Sequence, residues 1–262
     1  MGLLNKKEES MQSKVFKDGI IFNEDCLKVM DGLIAKGVKV DAIITDPPYN
    51  IAKDNNFTTM GRQGIDFGEW DKDADIISWI TKAKDLLNKN GSIFIFTDWK
   101  KISYIVEALE SNNFEVKDLF RYIKANPMPR NRDRRYITDF EIAIWAVSKG
   151  AKWTFNRQDK SYQRPEYRCS IETKHAHPTQ KPLDLMMEII KIHTNEGDCV
   201  YDGFCGSGTT LVACQNLKRK FIGCEFNPEK SKMGGEYIEP DKYYKIAIKR
   251  LLENEKLLTN KK

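Results

Sequence analysis

The sequence predicts an α/β fold, doubly wound around a single mostly parallel sheet, on three observations. Short apolar runs of β-forming residues alternate with segments whose apolar residues fall at helical spacing, the rhythm of a parallel sheet covered by helices. A glycine-rich turn, Asp202-Gly203-Phe204-Cys205-Gly206-Ser207-Gly208-Thr209-Thr210, opens a helix directly behind a strand. The chain has 262 residues, 31% charged and 40% hydrophobic, which suits one globular domain and excludes a collagenous, fibrous or wholly disordered chain.

Residues 1–17 are polar and lack periodicity, so a flexible tail is expected ahead of one domain spanning 18–262. Ile20 to Phe22 and Asp41 to Thr45 are strand candidates, Asp75 to Leu87 and Ile102 to Leu109 have helical spacing, and Ser92 to Phe96 reads as a buried strand. Val116 to Ile123 and Phe140 to Val147 are separated by a Pro- and Arg-rich stretch with no helix, which predicts an antiparallel pair. Residues 148–176 are aromatic, basic and irregular and read as a small insertion. The alternation resumes with a helix over Pro182 to His193, where Leu183, Met186, Met187 and Ile190 share a face. A strand at Cys199 to Tyr201, the glycine turn, a helix over Thr209 to Leu217 and a strand at Phe221 to Cys224 follow. A last helix is expected from Asp241 to Leu258, behind the polar segment Ser231 to Glu239.

Composition narrows the chemistry only slightly. No stretch reaches the roughly 18 apolar residues of a membrane span, and Met1 to Met11 has no signal-peptide core, so a cytoplasmic protein is expected. Six cysteines without a Cys-x-x-Cys pair, and three histidines, encourage neither a disulfide framework nor a metal site. The net charge of +5 is unevenly spread: Arg121 to Lys174 holds 13 basic and 6 acidic residues, a local +7.

Two constellations carry chemistry. The glycine turn lets a ligand approach the backbone and offers the unpaired N–H groups of a helix start, as a nucleotide-like cofactor requires. Glu225, 17 residues past Gly208 at the end of the next strand, is placed to accept from ribose hydroxyls. Leu211 stands where a dinucleotide fingerprint has its third glycine, which disfavours nicotinamide. The second constellation, Asp46-Pro47-Pro48-Tyr49, follows the strand ending at Thr45. Its prolines fix the backbone and withdraw two donors, leaving carbonyls and the Asp46 carboxylate as acceptors beside an aromatic ring, a wall for a flat group that bears an amine. Each motif has a plainer reading as a turn. Their common place behind parallel strands puts both at the carboxyl edge of one sheet, where ligands bind at a switch point.

Asp46-Pro47-Pro48-Tyr49 followed by Phe204-x-Gly206-x-Gly208-Thr209-Thr210 resembles the β class of adenine-N6 methyltransferases that act on DNA. His177-Pro178-Thr179-Gln180-Lys181-Pro182 is similar to the family's cofactor-side motif, Asn126-Pro127-Met128-Pro129 to the segment bordering its target base, and Asn23-Glu24-Asp25-Cys26-Leu27 to its acidic turn near the cofactor adenine. The resemblance spans roughly residues 19–225; it departs at Gly203, where the family usually has proline, and at the segment 231–239. It implies a Rossmann-like methyltransferase fold with circularly permuted motif order, a small basic target-recognition region at about 148–176, and S-adenosyl-L-methionine as cofactor. Asp46, Pro47, Pro48 and Tyr49 are then the catalytic residues, with Asp46 and the Pro47 carbonyl accepting the two amine hydrogens and Tyr49 stacking on the base. Cofactor contacts are expected from Asp25, Cys26, Asp46, His177, Thr179, Lys181, Asp202, Phe204, Cys205, Gly206, Ser207, Gly208, Thr209, Thr210 and Glu225. His177 reads alternatively as a capping or buried histidine, while His175 and His193 read as structural.

The substrate is expected to be double-stranded DNA with its adenine flipped out, held by Asn126, Met128, Arg130, Arg132, Arg134, Arg135, Lys152, Arg157 and Arg164. Asn50 to Trp70, with Phe57, Arg62 and Phe67, reads as a loop that closes over the site or as an ordinary surface connection. A homodimer and a cognate restriction endonuclease acting on the same site are expected partners. Cytosine-N4 transfer is the alternative within enzymes, disfavoured because serine usually replaces Asp46 in that class; RNA or protein-amide methylation at an Asn-Pro-Pro-Tyr site is disfavoured likewise. A non-catalytic DNA-binding subunit is the alternative outside enzymes.

Overall fold

The computed structural model of the chain describes residues 11–48, 77–129, 132–158, 161–172, 180–227, 231–233 and 236–260. Eleven strands and six helices are present among them. In order they are β1 (Ser13–Phe16), β2 (Gly19–Phe22), α1 (Cys26–Ala35), β3 (Val40–Thr45), α2 (Ser78–Leu86), β4 (Leu87–Thr97), α3 (Ile102–Ser111), β5 (Phe114–Lys124), β6 (Phe140–Ser148), β7 (Glu166–Cys169), α4 (Leu183–His193), β8 (Cys199–Asp202), α5 (Thr209–Asn216), β9 (Lys220–Cys224), β10 (Ser231–Met233), β11 (Glu236–Ile238) and α6 (Lys242–Thr259).

One nine-stranded sheet has the order β1-β2-β9-β8-β3-β4-β6-β5-β7. From β2 to β4 all pairings are parallel; β6 runs antiparallel between β4 and β5, as the helix-free connection predicts, and β1 is antiparallel to β2. Alternation along the strands divides the core into two layers. Ala42, Ile44, Phe94, Phe96 and Val200 face α4, α5 and α6, while Ile43, Ile93, Ile95 and Tyr201 face α1, α2 and α3. The switch point follows: β3 leads in the chain to α2 on one face, its neighbour β8 leads to α5 on the other, and a crevice opens between the strand ends.

Two expectations need correction. The polar start is not a loose tail up to residue 17, because Ser13–Phe16 pairs with β2 and Phe16 packs its ring 5.9 Å from that of Phe221. Three of four side chains in β1 are exposed, so the strand carries no apolar run by which to read it. The stretch 148–176 is not one irregular insertion: Glu166–Cys169 extends the sheet beside β5. The polar segment 231–239 contains a two-stranded hairpin. Replacing Phe16 by Ala removes a ring from the core and should cost about 2–4 kcal/mol in urea unfolding; a change below about 0.5 kcal/mol would mean β1 adds nothing to the fold.

Candidate active site

The carboxyl ends of β2, β3, β4, β8 and β9, with the start of β6, surround one cavity of about 880 Å3. Asp46, Pro47 and Pro48 line it from one side, and Asp202, Gly203, Phe204, Cys205, Gly206 and Ser207 from the other. The two loops are tied where they leave the sheet: Thr45 Oγ1 donates to Asp202 Oδ1 at 2.7 Å, with both residues buried. Asp202 also accepts from the Phe204 N–H at 3.1 Å, which folds the chain back into the glycine turn.

That turn follows from residue type. Gly206 and Gly208 have φ of 52° and 80°, in the left-handed region that glycine occupies without penalty. A side chain on Gly208 would stand 2.9 Å from the Ala247 Cβ of α6, so the turn and helix pack closer than any other residue permits. Gly208 precedes α5, whose N-terminal residues Thr209 and Thr210 reach the cavity. From below, the buried Arg250 of α6 donates to the Ser207 carbonyl at 2.8 Å, to Ser207 Oγ at 2.9 Å and to Thr209 Oγ1 at 3.0 Å.

The cofactor side is rich in carboxylates. Glu225, at the end of β9, accepts from the Gly206 N–H at 2.7 Å, and burial pushes its carboxyl up to about 7. Burial likewise pushes Asp202 up to about 6, against the lowering effect of its hydrogen bonds. Asp25 caps α1, accepting from the N–H groups of Leu27 and Lys28 at 2.9 and 3.3 Å, and with Cys26 lines the same cavity. The opposite side is paired. Lys181 bonds Asp46 Oδ2 and lies 3.1 Å from Glu141 Oε2, while Lys124 holds Glu141 Oε1 at 2.7 Å. Burial alone would raise Glu141, but the two ammonium groups hold it down at about 2.

Of the residues expected from the sequence, Asp25, Cys26, Asp46, Pro47, Pro48, Lys181, Asp202, Phe204, Cys205, Gly206, Ser207, Thr209, Thr210 and Glu225 line this one cavity. Gly208 acts beneath it by shaping the turn. Lys181, expected at the cofactor, is bonded to the Asp46 carboxylate. Tyr49, Arg130, His177, Thr179 and the segment 50–70 lie outside the described residues.

The basic residues divide. Arg134 and Arg135 line the cavity mouth beside Tyr136, which is 97% exposed, and Arg132 stands exposed just ahead of them. Asn126 does not face the cavity; its side chain accepts from the Ile171 N–H at 2.7 Å and joins the end of β5 to the chain after β7. Met128 is exposed nearby. Lys152 and Arg157 do not join the others at the mouth, because β6 runs opposite to β3 and delivers the chain to the far rim of the sheet. There the Lys152 N–H donates to Asn90 Oδ1 at 3.0 Å and the Asn156 N–H to the Ile192 carbonyl at 2.7 Å, next to Arg157. Trp153 and Phe155 pack there around Trp145 and the buried His193, whose imidazole burial pushes down to about 3. Arg164 lies ahead of β7 on the sheet's outer edge.

Thr45, Lys124, Glu141 and Arg250 are site residues that the sequence reading missed, and Gln180 entered it only inside the quoted cofactor-side motif. Arg250 had a signal, a cation on the same helical stripe as Ala247 and Leu251; Glu141 and Lys124 had none, since only the pairing of β5 with β6 brings them together.

An acceptor-lined loop facing a glycine turn across the switch point of an α/β sheet is an arrangement that fits a group-transfer enzyme with the methyltransferase fold. A model of the DNA methylase family matches residues 40–235, and the chain belongs to this family. It is 31% identical over 255 residues to the Type II methyltransferase M2.MboI of Moraxella bovis, covering 90% of each chain, and 31% over 258 residues to the Type II methyltransferase M2.DpnII of Streptococcus pneumoniae, covering 90% of this chain and 91% of that one. Among solved structures it is similar to the M1.HpyAVI complex with SAM, with 41% identity and a TM-score of 0.70 over 88% of this chain and 98% of that chain. The cytosine-N4-specific PvuII DNA methyltransferase shares the fold at 16% identity and a TM-score of 0.64, over 81% of this chain and 83% of the other.

The raised carboxyl of Glu225 fixes a sign for stability. Its proton is held more tightly folded than unfolded, so stability is lost as pH rises from about 4.5 through about 7. In thermal or urea unfolding, Glu225→Gln should gain on the wild type across that window by on the order of 1 kcal/mol and run parallel to it below pH 4; a constant difference from pH 4 to 8 would show that the Glu225 carboxyl is not perturbed.

Proposed function

We propose that this protein transfers a methyl group from S-adenosyl-L-methionine to the N6 amine of an adenine flipped out of double-stranded DNA. The observation that carries the reading is the meeting of the Asp46 loop and the Gly206 to Gly208 turn in one cavity, locked by the bond from Thr45 to Asp202.

The residues on the cofactor side fit that cofactor. Asp202 and Glu225 are carboxyls that burial holds above their ordinary range, so a cationic or hydroxyl-bearing ligand in the cavity would favour their ionised forms. Glu225 at the end of β9 is placed to accept from ribose hydroxyls. The buried Gln180 Nε2 lies at the cavity without a partner among the described residues, a donor suited to a carboxylate. When bound, the cofactor supplies an electrophilic methyl group on a sulfonium. That the similar M1.HpyAVI structure is a complex with SAM supports the same assignment.

An exocyclic adenine amine is a poor nucleophile because its lone pair is delocalised into the ring. Asp46 and the Pro47 carbonyl accept its two hydrogens and turn the lone pair towards the methyl group, so positioning contributes more than basicity. Pro47 and Pro48 carry no N–H that would compete for those acceptors. Tyr49 follows directly in sequence and stacks on the base. Asp46 at the head of the motif, where cytosine-N4 enzymes usually have serine, supports adenine as the target. Extruding the base costs a few kcal/mol in lost stacking, which contacts from Arg132, Arg134 and Arg135 at the mouth offset. The likeness to Type II methyltransferases supports a place beside a restriction endonuclease of the same specificity, and the family resemblance supports a homodimer.

The direct test incubates the protein with methyl-labelled cofactor and plasmid DNA and maps the modified base by sequencing. Label on adenine N6 is expected; label on cytosine would make this an N4 enzyme, and none at all a non-catalytic binder. Asp46→Ala should lower turnover by at least about 1000-fold while cofactor affinity stays within about threefold. Charge reversal at Arg132 and Arg135 should weaken DNA binding and reduce its salt dependence, whereas reversal at Lys152 and Arg157 on the far rim should change neither. Equal effects from the two pairs would misplace the DNA.

A further inference from the structure

Gln180 and Lys181 are neighbours in sequence at the start of α4, and both are buried. Their side chains serve different loops. Gln180 Oε1 accepts from Ser207 Oγ of the glycine turn at 2.9 Å, whereas Lys181 Nζ bonds Asp46 Oδ2 of the loop after β3. Two consecutive residues thus fasten the cofactor turn and the acidic loop to one another. The Lys181 ammonium is held on three sides, by Asp46, by Glu141 Oε2 at 3.1 Å, and by the Phe96 ring, whose centroid is 4.9 Å away. Lys124 then closes the row at Glu141 Oε1, 2.7 Å distant, and charges alternate along Asp46, Lys181, Glu141 and Lys124.

A buried ammonium is opposed by desolvation. Two carboxylates must offset that cost, and one of them is the acceptor proposed for the substrate amine.

We infer that Lys181 is a positioning residue for methyl transfer: by holding Asp46 Oδ2 it fixes the rotation of that carboxylate towards the amine, and Glu141 with Lys124 holds Lys181 in place. The inference rests on the reading of the site as an amine methyltransferase. It assigns Lys181 to the acceptor and not to the cofactor carboxylate. Without that bond the carboxylate is held less firmly in the orientation the amine requires, so the loss belongs in kcat.

Lys181 also sets the charge around Asp46. Asp202, at the end of β8, is the carboxylate that acts on Asp46 from the neighbouring strand. The further charged groups of the cavity are Asp25, Asp98, Arg134, Arg135 and Glu225, together with Lys124 and Glu141 behind Lys181. Removing the ammonium takes away a charge that favours the ionised Asp46 carboxylate and moves the acid limb of the kcat profile upward.

The experiment measures kcat, cofactor Kd and the pH dependence of kcat for wild type, Lys181→Gln, Lys181→Arg and Glu141→Gln on the full chain, with DNA and labelled cofactor. Lys181→Gln should lower kcat about 10- to 100-fold, shift the acid limb up by about one pH unit and leave cofactor Kd within about threefold. Lys181→Arg should recover most of kcat and the wild-type limb, and Glu141→Gln should shift both in the direction of Lys181→Gln by less. A loss carried by cofactor Kd alone would make Lys181 a cofactor ligand, and an unmoved limb or unchanged kcat would overturn the inference. Should Lys181→Gln fail to fold, Lys181→Arg and Glu141→Gln decide by the same readouts. A wild type that transfers no label overturns the reading of the site instead.

Discussion

The hydrogen bond from Thr45 to Asp202 is the constraint on which the site depends. It joins the ends of β3 and β8, strands adjacent in the sheet whose sequence positions are 157 residues apart. Because the helices that follow these strands cover opposite faces, the two chains diverge immediately beyond the bond, and a crevice has to open there. Inside a buried setting this bond joins the Phe204 N–H in compensating the Asp202 carboxylate for the water it has lost. The Asp46 loop and the glycine turn therefore begin from a common point and diverge by a distance that the sheet itself sets.

The two sides of the crevice differ in how they treat charge. Around Asp46 every carboxylate named has an ammonium against it, and Glu141 is held firmly ionised. Around the glycine turn Asp202 and Glu225 receive only hydroxyl and N–H donors, and burial raises both. One wall is neutral overall and fixed in geometry, as a weakly nucleophilic neutral group requires; the other has an excess of negative potential, as a sulfonium requires. The asymmetry is a property of the residues alone.

Much of this was legible in sequence because it is local. Apolar runs and turn chemistry placed β3, β4, β8 and β9, the β5 to β6 pair and five of the helices near their observed bounds, and adjacency to a strand end put Asp46 and the Gly206 to Gly208 turn on one edge. What escaped depends on direction or on distant pairing. Lys152 and Arg157 lie in the same basic stretch as Arg135, yet the antiparallel course of β6 carries them to the opposite rim. β1 has an edge strand's polar composition, and its one buried side chain, Phe16, gives no period. Lys124, Glu141 and Lys181 share no pattern in the chain and meet only through the sheet and the start of α4.

Arg250 shows how far the cofactor turn extends into the rest of the chain. This guanidinium lies 15 residues beyond the end of the family match, on a helix that carries none of the motifs, and yet it supports the carbonyl and hydroxyls on which Ser207 and Thr209 rely. A shortened version cut after the last recognisable motif would retain every signature residue while its phosphate-loop-like bend lost the floor beneath it. Boundaries for fusions, tags or minimal fragments of this enzyme belong past Glu255, since Asn254 still donates to Gln215 Oε1 at 3.0 Å and Glu255 accepts from the Lys17 N–H, and not where the sequence similarity fades.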